Sequence, residues 1–269
     1  MRKIRILRLL KESKMHFRIF YKWKKEKERS ARKTRHYKNM VSEEKSIKGV
    51  KDLYISLYEQ TNTILNEKLD YFSNEKAAVD IYELAKQYDI KIVEKNLESP
   101  KDLFSQEVVG YLDSYHGKTI YINEEVGDYT KRYGVAHEVG HYLVREAEMK
   151  DKVFACYFAT PRFLKTSEEQ VCDLIASFLL MPISTVLDLM EVYIKQSQQM
   201  VNERITTYSW LGYLGGKLHV ADYYTGLCFQ NIKYLGAFLY EEALEMEKKG
   251  TLKEDSIYGK IKRMEWLFR

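Results

Sequence analysis

The chain has 269 residues, 45% hydrophobic and 31% charged, which is apolar material for one large core or two smaller ones and excludes a disordered polymer. Three prolines and thirteen glycines exclude a collagen-like or linker-like chain, and three cysteines exclude a disulfide framework and point to a reducing compartment. The net charge of +5 is unevenly placed, because residues 1–40 hold sixteen Lys or Arg against three Glu and the remainder is net acidic.

The chain begins with a basic extension over residues 1–45, read as mobile or helical. Such charge asymmetry is one mark of a tail that meets nucleic acid or an anionic membrane, with His36 and Tyr37 as stacking partners; a solvated tail, or translation starting at Met40, are the other readings. Ile4 to Leu10 is broken by Arg5 and Arg8 and is no secretory h-region, so a cytoplasmic location is expected. The longest nearly uncharged apolar stretch, Leu174 to Ile183, is about half of the roughly 20 residues a membrane-spanning helix needs, so no transmembrane segment is expected.

From Asp52 to Phe72, apolar residues at Leu53, Leu57, Ile64, Leu65, Leu69 and Phe72 keep helical spacing. A second helix is expected after Ser73 or Asn74, with Ala78, Ile81, Ala85 and Tyr88 on one face. The period then changes. Lys91 to Val93, Glu107 to Leu112 and Lys118 to Asn123 read as strands of a small antiparallel sheet, the last two joined by a turn over 113–117. Helices are expected again over Tyr133 to Arg145, Ser167 to Met181 (ended by Pro182), Thr185 to Gln196 and Asn231 to Lys248. Val153 to Ala159 reads as a buried strand or a lid. The fold class is α+β and mostly helical, with a domain over 46–183 and a helical region over 184–269.

The chemistry concentrates in Ala136-His137-Glu138-Val139-Gly140-His141-Tyr142-Leu143. His137 and His141 lie four apart, so on a helix their imidazoles share a face and can grip one metal ion. Glu138 sits beside the first of them, able to hold and deprotonate a metal-bound water, and the pattern is the zinc-peptidase signature His-Glu-x-x-His. Gly140 inside a helix costs about 1 kcal/mol relative to Ala, which makes sense if another backbone passes close by. A catalytic zinc needs three protein ligands, and the helix after Ser167 offers Glu169 and, four residues on, Asp173. Glu168 points about 100° away around that helix and ranks second. Cys172 reads as packing, Cys156 and Cys228 have no ligand spacing, and His116 and His219 are isolated.

The second helix resembles that of the glutamate-zincins, which carries Glu-x-x-x-Asp. That resemblance implies Glu169 as a metal ligand and Asp173 as the acceptor that fixes an imidazole tautomer. Gly110-Tyr111-Leu112, Lys118 to Asn123, Arg132 to Leu143 and Glu169 to Pro182 together resemble the ImmA/IrrE family of zinc endopeptidases over about residues 74 to 183. Cys172, Asp173 and Ile175 depart from that family's usual Ala, Asn and Phe.

The resemblance implies a zincin-like fold, a bound Zn2+ (two His and a carboxylate also admit Mn2+ or Fe2+), and cleavage of a helix-turn-helix repressor of a mobile element or stress regulon. Lys118 to Asn123, with Ile120, Tyr121 and Ile122 at its centre, is either the edge strand that pairs with substrate or a strand that merely closes the sheet. The rival reading is a non-catalytic regulatory or DNA-binding protein on the same scaffold. Trp210 to Leu227 has the look of a helix-turn-helix, a docking module for a repressor or plain packing; few Lys or Arg surround it.

Overall fold

The structure, a computed structural model, describes residues 36–73, 77–97, 109–113, 118–146, 168–199 and 207–268. Two compact units divide at residue 47. Of the first, residues 1–47, the helical backbone from His36 is described; the second, Lys48–Arg269, carries the core and the site. The expectations for the rest of the basic extension, for His116 and the turn around it, and for Val153 to Ala159 with Cys156 lie outside the described residues.

Helix α1 (His36–Leu69) begins well before the expected Asp52. It buries Leu53, Leu57, Ile64 and Leu65 at the spacing of one helical face. Helix α2 is shorter than expected and spans Ile81–Gln87, because Asp80 caps it by accepting the Glu83 backbone N–H at 3.0 Å. Asp80-x-x-Glu83 is a capping signal that the apolar period alone overlooks.

Strands β1 (Lys91–Lys95), β2 (Gly110–Asp113) and β3 (Thr119–Asn123) form one sheet in the order β1-β3-β2. The sheet is mixed, which corrects the antiparallel expectation: β2 pairs antiparallel with β3, but β1 pairs parallel to it, Lys91 opposite Thr119 and Lys95 opposite Asn123. The order also corrects the placing of the edge. β3 is the central strand, both of its sides are taken by neighbours, and Ile120 and Ile122 point into the core at 0% and 1% exposure. Tyr121 faces the other way, stacked on Tyr111 at 5.1 Å with Lys95 Nζ 3.9 Å from its ring centre. No backbone of β3 is left for a substrate to pair with.

Helix α3 (Asp128–Glu146) lies against β2, β3 and α2, and crosses α4 (Glu168–Leu180). Two glycines of α3 make these contacts. A Cβ at Gly134 would stand 2.6 Å from a Val109 methyl, and one at Gly140 would stand 3.2 to 3.3 Å from the Cα, Cβ and carbonyl oxygen of Cys172. The backbone expected near Gly140 is therefore α4, and buried Cys172 is its packing partner. Pro182 ends α4 as expected, and α5 (Ile183–Gln199) starts immediately after it.

Helix α6 (Thr207–Leu218) turns at His219 (φ 54°) into α7 (Asp222–Lys248), followed by α8 (Ile257–Arg263) and α9 (Glu265–Phe268). The two-helix look of Trp210 to Leu227 is thus real, but Trp210, Leu214, Leu218 and Val220 are buried, and the apolar side of the pair packs the core. Among the described residues no single helix is long and apolar enough to cross a membrane; α4 and α5 pass such a test together, yet they bend by 52° at their junction and α4 is buried over most of its length.

Candidate metal centre

The α3–α4 crossing brings together residues that the chain separates by about thirty positions. His137 and His141 extend from α3 with ring centres 5.0 Å apart. From the first turn of α4, Glu169 places Oε2 3.1 Å from His137 Nε2 and Oε1 3.4 Å from His141 Nε2. Its carboxylate faces both Nε2 atoms.

The opposite nitrogens are held as well. His137 Nδ1 lies 2.9 Å from Asp173 Oδ1, and His141 Nδ1 lies 2.8 Å from Glu168 Oε1. A carboxylate only accepts, so each Nδ1–H is the donor to it, and a ring that is neutral in this arrangement has its Nε2 lone pair to offer a metal ion. Two imidazole Nε2 atoms and a carboxylate thus converge, the donor types and number of a catalytic zinc site, so the donor set fits a divalent metal ion.

Each holding carboxylate has its own anchor. Asp173 Oδ1 also accepts the Tyr133 hydroxyl at 2.7 Å, and Tyr133 stacks on Tyr224 at 3.9 Å. The Asp173 carbonyl accepts Ser177 Oγ–H at 2.6 Å, and Asn231 donates to that hydroxyl at 2.9 Å. Glu168 Oε1 also accepts Arg145 Nε–H at 2.6 Å. Glu168, ranked second as a ligand from sequence, here bonds to the far side of His141.

Glu138 is 8% exposed and within ligand distance of both histidines, but its carboxylate accepts the Leu112 backbone N–H. Asn123 N–H bonds the Val109 carbonyl; by antiparallel alternation Tyr111 and Asp113 face β3, while Gly110 and Leu112 face outward from the sheet. The outer edge of β2 therefore borders the site. Tyr111, Leu112, Glu138, His141, Arg145 and Glu169 line a cleft of about 250 Å3.

Burial raises the Glu138 pKa against the pull of the two histidines and the Leu112 N–H. Burial opposes charge on His137, but the bond and field of Asp173 win and raise its pKa. Glu168 is lowered, since the bonds from His141 and Arg145 outweigh its burial. Burial, with Glu168 and Glu169 close by, pushes the Cys172 thiol far up. His141, Glu168 and Cys172 also stand within ligand distance of one another, with the Glu168 carboxylate already bonded by both His141 and Arg145.

Of the sequence candidates, the crossing brings His137, Glu138, His141, Glu169 and Asp173 together. Ile120, Tyr121 and Ile122 lie in β3, inside the sheet. His219 sits at the α6–α7 turn, stacked on Tyr129 at 5.3 Å, and its carbonyl accepts Arg132 Nε–H. Tyr133 and Arg145 were not singled out from sequence, although each stands four residues from a histidine on the same helix face.

Residues 85–208 match the Peptidase M78 family model, described as the IrrE N-terminal-like domain. With the His137-Glu138-x-x-His141 site in place, this bears out the resemblance read from the motifs and supports a metallopeptidase scaffold. No curated protein matches the chain.

Proposed function

We propose that the chain is a zinc-dependent endopeptidase that hydrolyses a peptide bond of an extended protein segment. The observation that carries this reading is the approach of Glu169 to the Nε2 atoms of both His137 and His141 at 3.1 and 3.4 Å, with Glu138 buried alongside. His137, His141 and Glu169 would hold the ion. When bound, zinc supplies Lewis-acid polarisation of a carbonyl and lowers the pKa of a water toward about 7.

The chain's own residues do the rest. Glu138 takes the proton of the attacking water and returns it to the leaving nitrogen as the C–N bond breaks and a C–O bond forms. A carboxylate with a raised pKa suits both transfers, and the Leu112 N–H orients it. Asp173 and Glu168 keep the imidazoles in the tautomer that presents Nε2. Beside the Leu112 N–H that orients Glu138, the rest of the outward edge of β2 is the place for an extended peptide to add main-chain hydrogen bonds, in the role first expected of β3.

The family resemblance extends the reading to a cytoplasmic enzyme and a helix-turn-helix repressor as substrate. The non-catalytic alternative finds little support, because Lys217 is the one Lys or Arg between Trp210 and Leu227 and the electrostatic footprint of a DNA-binding helix pair is missing there.

The test is to incubate the zinc-loaded chain with a helix-turn-helix repressor from the same genome, in parallel with Glu138→Gln. Cleavage by the native chain and a loss of about 10²–10⁴-fold in the variant is the expected result. Equal cleavage by both overturns the mechanism, and cleavage of unrelated unfolded proteins but not the repressor overturns the substrate.

A further inference from the structure

We propose that Arg145 is a positioning residue for the metal centre, acting through Glu168 on His141; the inference rests on His137, His141 and Glu169 being the metal ligands. Arg145 follows His141 by one helical turn on α3, and Glu168 opens α4. One carboxylate oxygen, Glu168 Oε1, accepts from both: the guanidinium Nε–H at 2.6 Å and the imidazole Nδ1–H at 2.8 Å.

The exposures separate this pair from an ordinary surface ion pair. Arg145 and Glu168 side chains are 49% and 39% exposed, where an ion pair by itself contributes little, but His141 is 8% exposed and depends on Glu168 for its far nitrogen. A carboxylate at the first residue of a helix has free rotamers that reach water. A guanidinium stays charged at any working pH, and the Arg145 Nε–H ties Glu168 Oε1 to the side of α3 on which His141 lies. Arg145 thus selects the Glu168 rotamer that meets Nδ1, and through it the ring orientation that turns Nε2 toward Glu169.

The experiment measures Zn2+ affinity by chelator competition on the full chain, for the native protein, Arg145→Ala, Glu168→Ala, Glu168→Gln and the Arg145→Ala/Glu168→Ala double variant. Glu168→Ala is expected to weaken zinc binding by about 10–100-fold, and Arg145→Ala by less. The double variant is expected to bind no more weakly than Glu168→Ala, since Arg145 acts through that carboxylate. Glu168→Gln keeps a carbonyl acceptor for the Nδ1–H and is expected to bind more tightly than Glu168→Ala. Melting of the metal-free variants, followed by circular dichroism, provides the control: unchanged melting with weakened zinc binding supports positioning. Native affinity in Arg145→Ala, additive losses in the double variant, or zinc losses that merely track melting overturn it. A native chain that binds no zinc overturns the ligand assignment itself, and the positioning role with it.

Discussion

The two histidines of the centre are held by clamps built alike and anchored differently. In each, a carboxylate from α4 accepts an imidazole Nδ1–H and a second donor from α3 on the same oxygen: Asp173 with Tyr133 for His137, Glu168 with Arg145 for His141. Tyr133 is 5% exposed and Arg145 is half exposed. The two carboxylates are comparably exposed, 35% and 39%, so the contrast lies in the anchors: a full charge at the buried position of Tyr133 would lose its hydration, whereas the Arg145 guanidinium at the rim keeps its water. Each anchor's chemistry matches its own exposure, while the task stays the same.

Glu138→Gln sets the scale, because it touches neither clamp. It should lose about 10²–10⁴-fold in kcat with zinc content unchanged by elemental analysis; loss of the metal as well would mean that Glu138 belongs to the ligand set and not beside it. Removing the carboxylate anchored by Tyr133 comes next. Asp173→Ala should weaken zinc by about 10–100-fold, and Asp173→Asn by less, since an amide oxygen still accepts the Nδ1–H; equal affinity in all three would erase the Asp173 clamp.

Gly140→Val strains both clamps together by pressing on Cys172, whose Cα would stand 3.2 Å from even the first added carbon. A destabilisation of about 1–3 kcal/mol in urea titrations is expected, with zinc weakened alongside. A native-like value would show that the crossing can widen without consequence. Tyr133→Phe deletes one hydrogen bond to a carboxylate and should lower zinc affinity by about tenfold or less. The smallest effect sharpens the contrast best. Added salt should narrow the difference in zinc affinity between the native chain and Arg145→Ala, because the rim anchor is open to screening, while leaving the difference for Tyr133→Phe in place.

Much of the site could be read from local spacing. His137, Glu138 and His141 share one helix, as do Glu169 and Asp173, and helical periodicity converts four residues of sequence into one face of a rod. Pro182 announced the end of α4, and Gly140 announced a close neighbour. The sheet was legible as three short strands near their observed positions but not as a topology. Alternation along a strand says which side chains share a face and nothing about which strand lies beside it, so β3 was expected at an edge and stands in the middle. Tyr133 meets Asp173, and Arg145 meets Glu168, only through a crossing whose angle no local pattern encodes.

What the amino-acid order determined alone is therefore the chemistry carried by each helix: a pair of imidazoles with a carboxylate between them on one, three carboxylates on the other. That the two helices cross at Gly140 and Cys172, that Glu169 arrives between the Nε2 atoms while its neighbours grip the opposite nitrogens, and that the outer edge of β2 borders the cleft were decided by tertiary packing. The reason is physical: periodicity acts within a single element, whereas the relative placing of elements follows from which faces must leave water together and how closely their backbones can then approach.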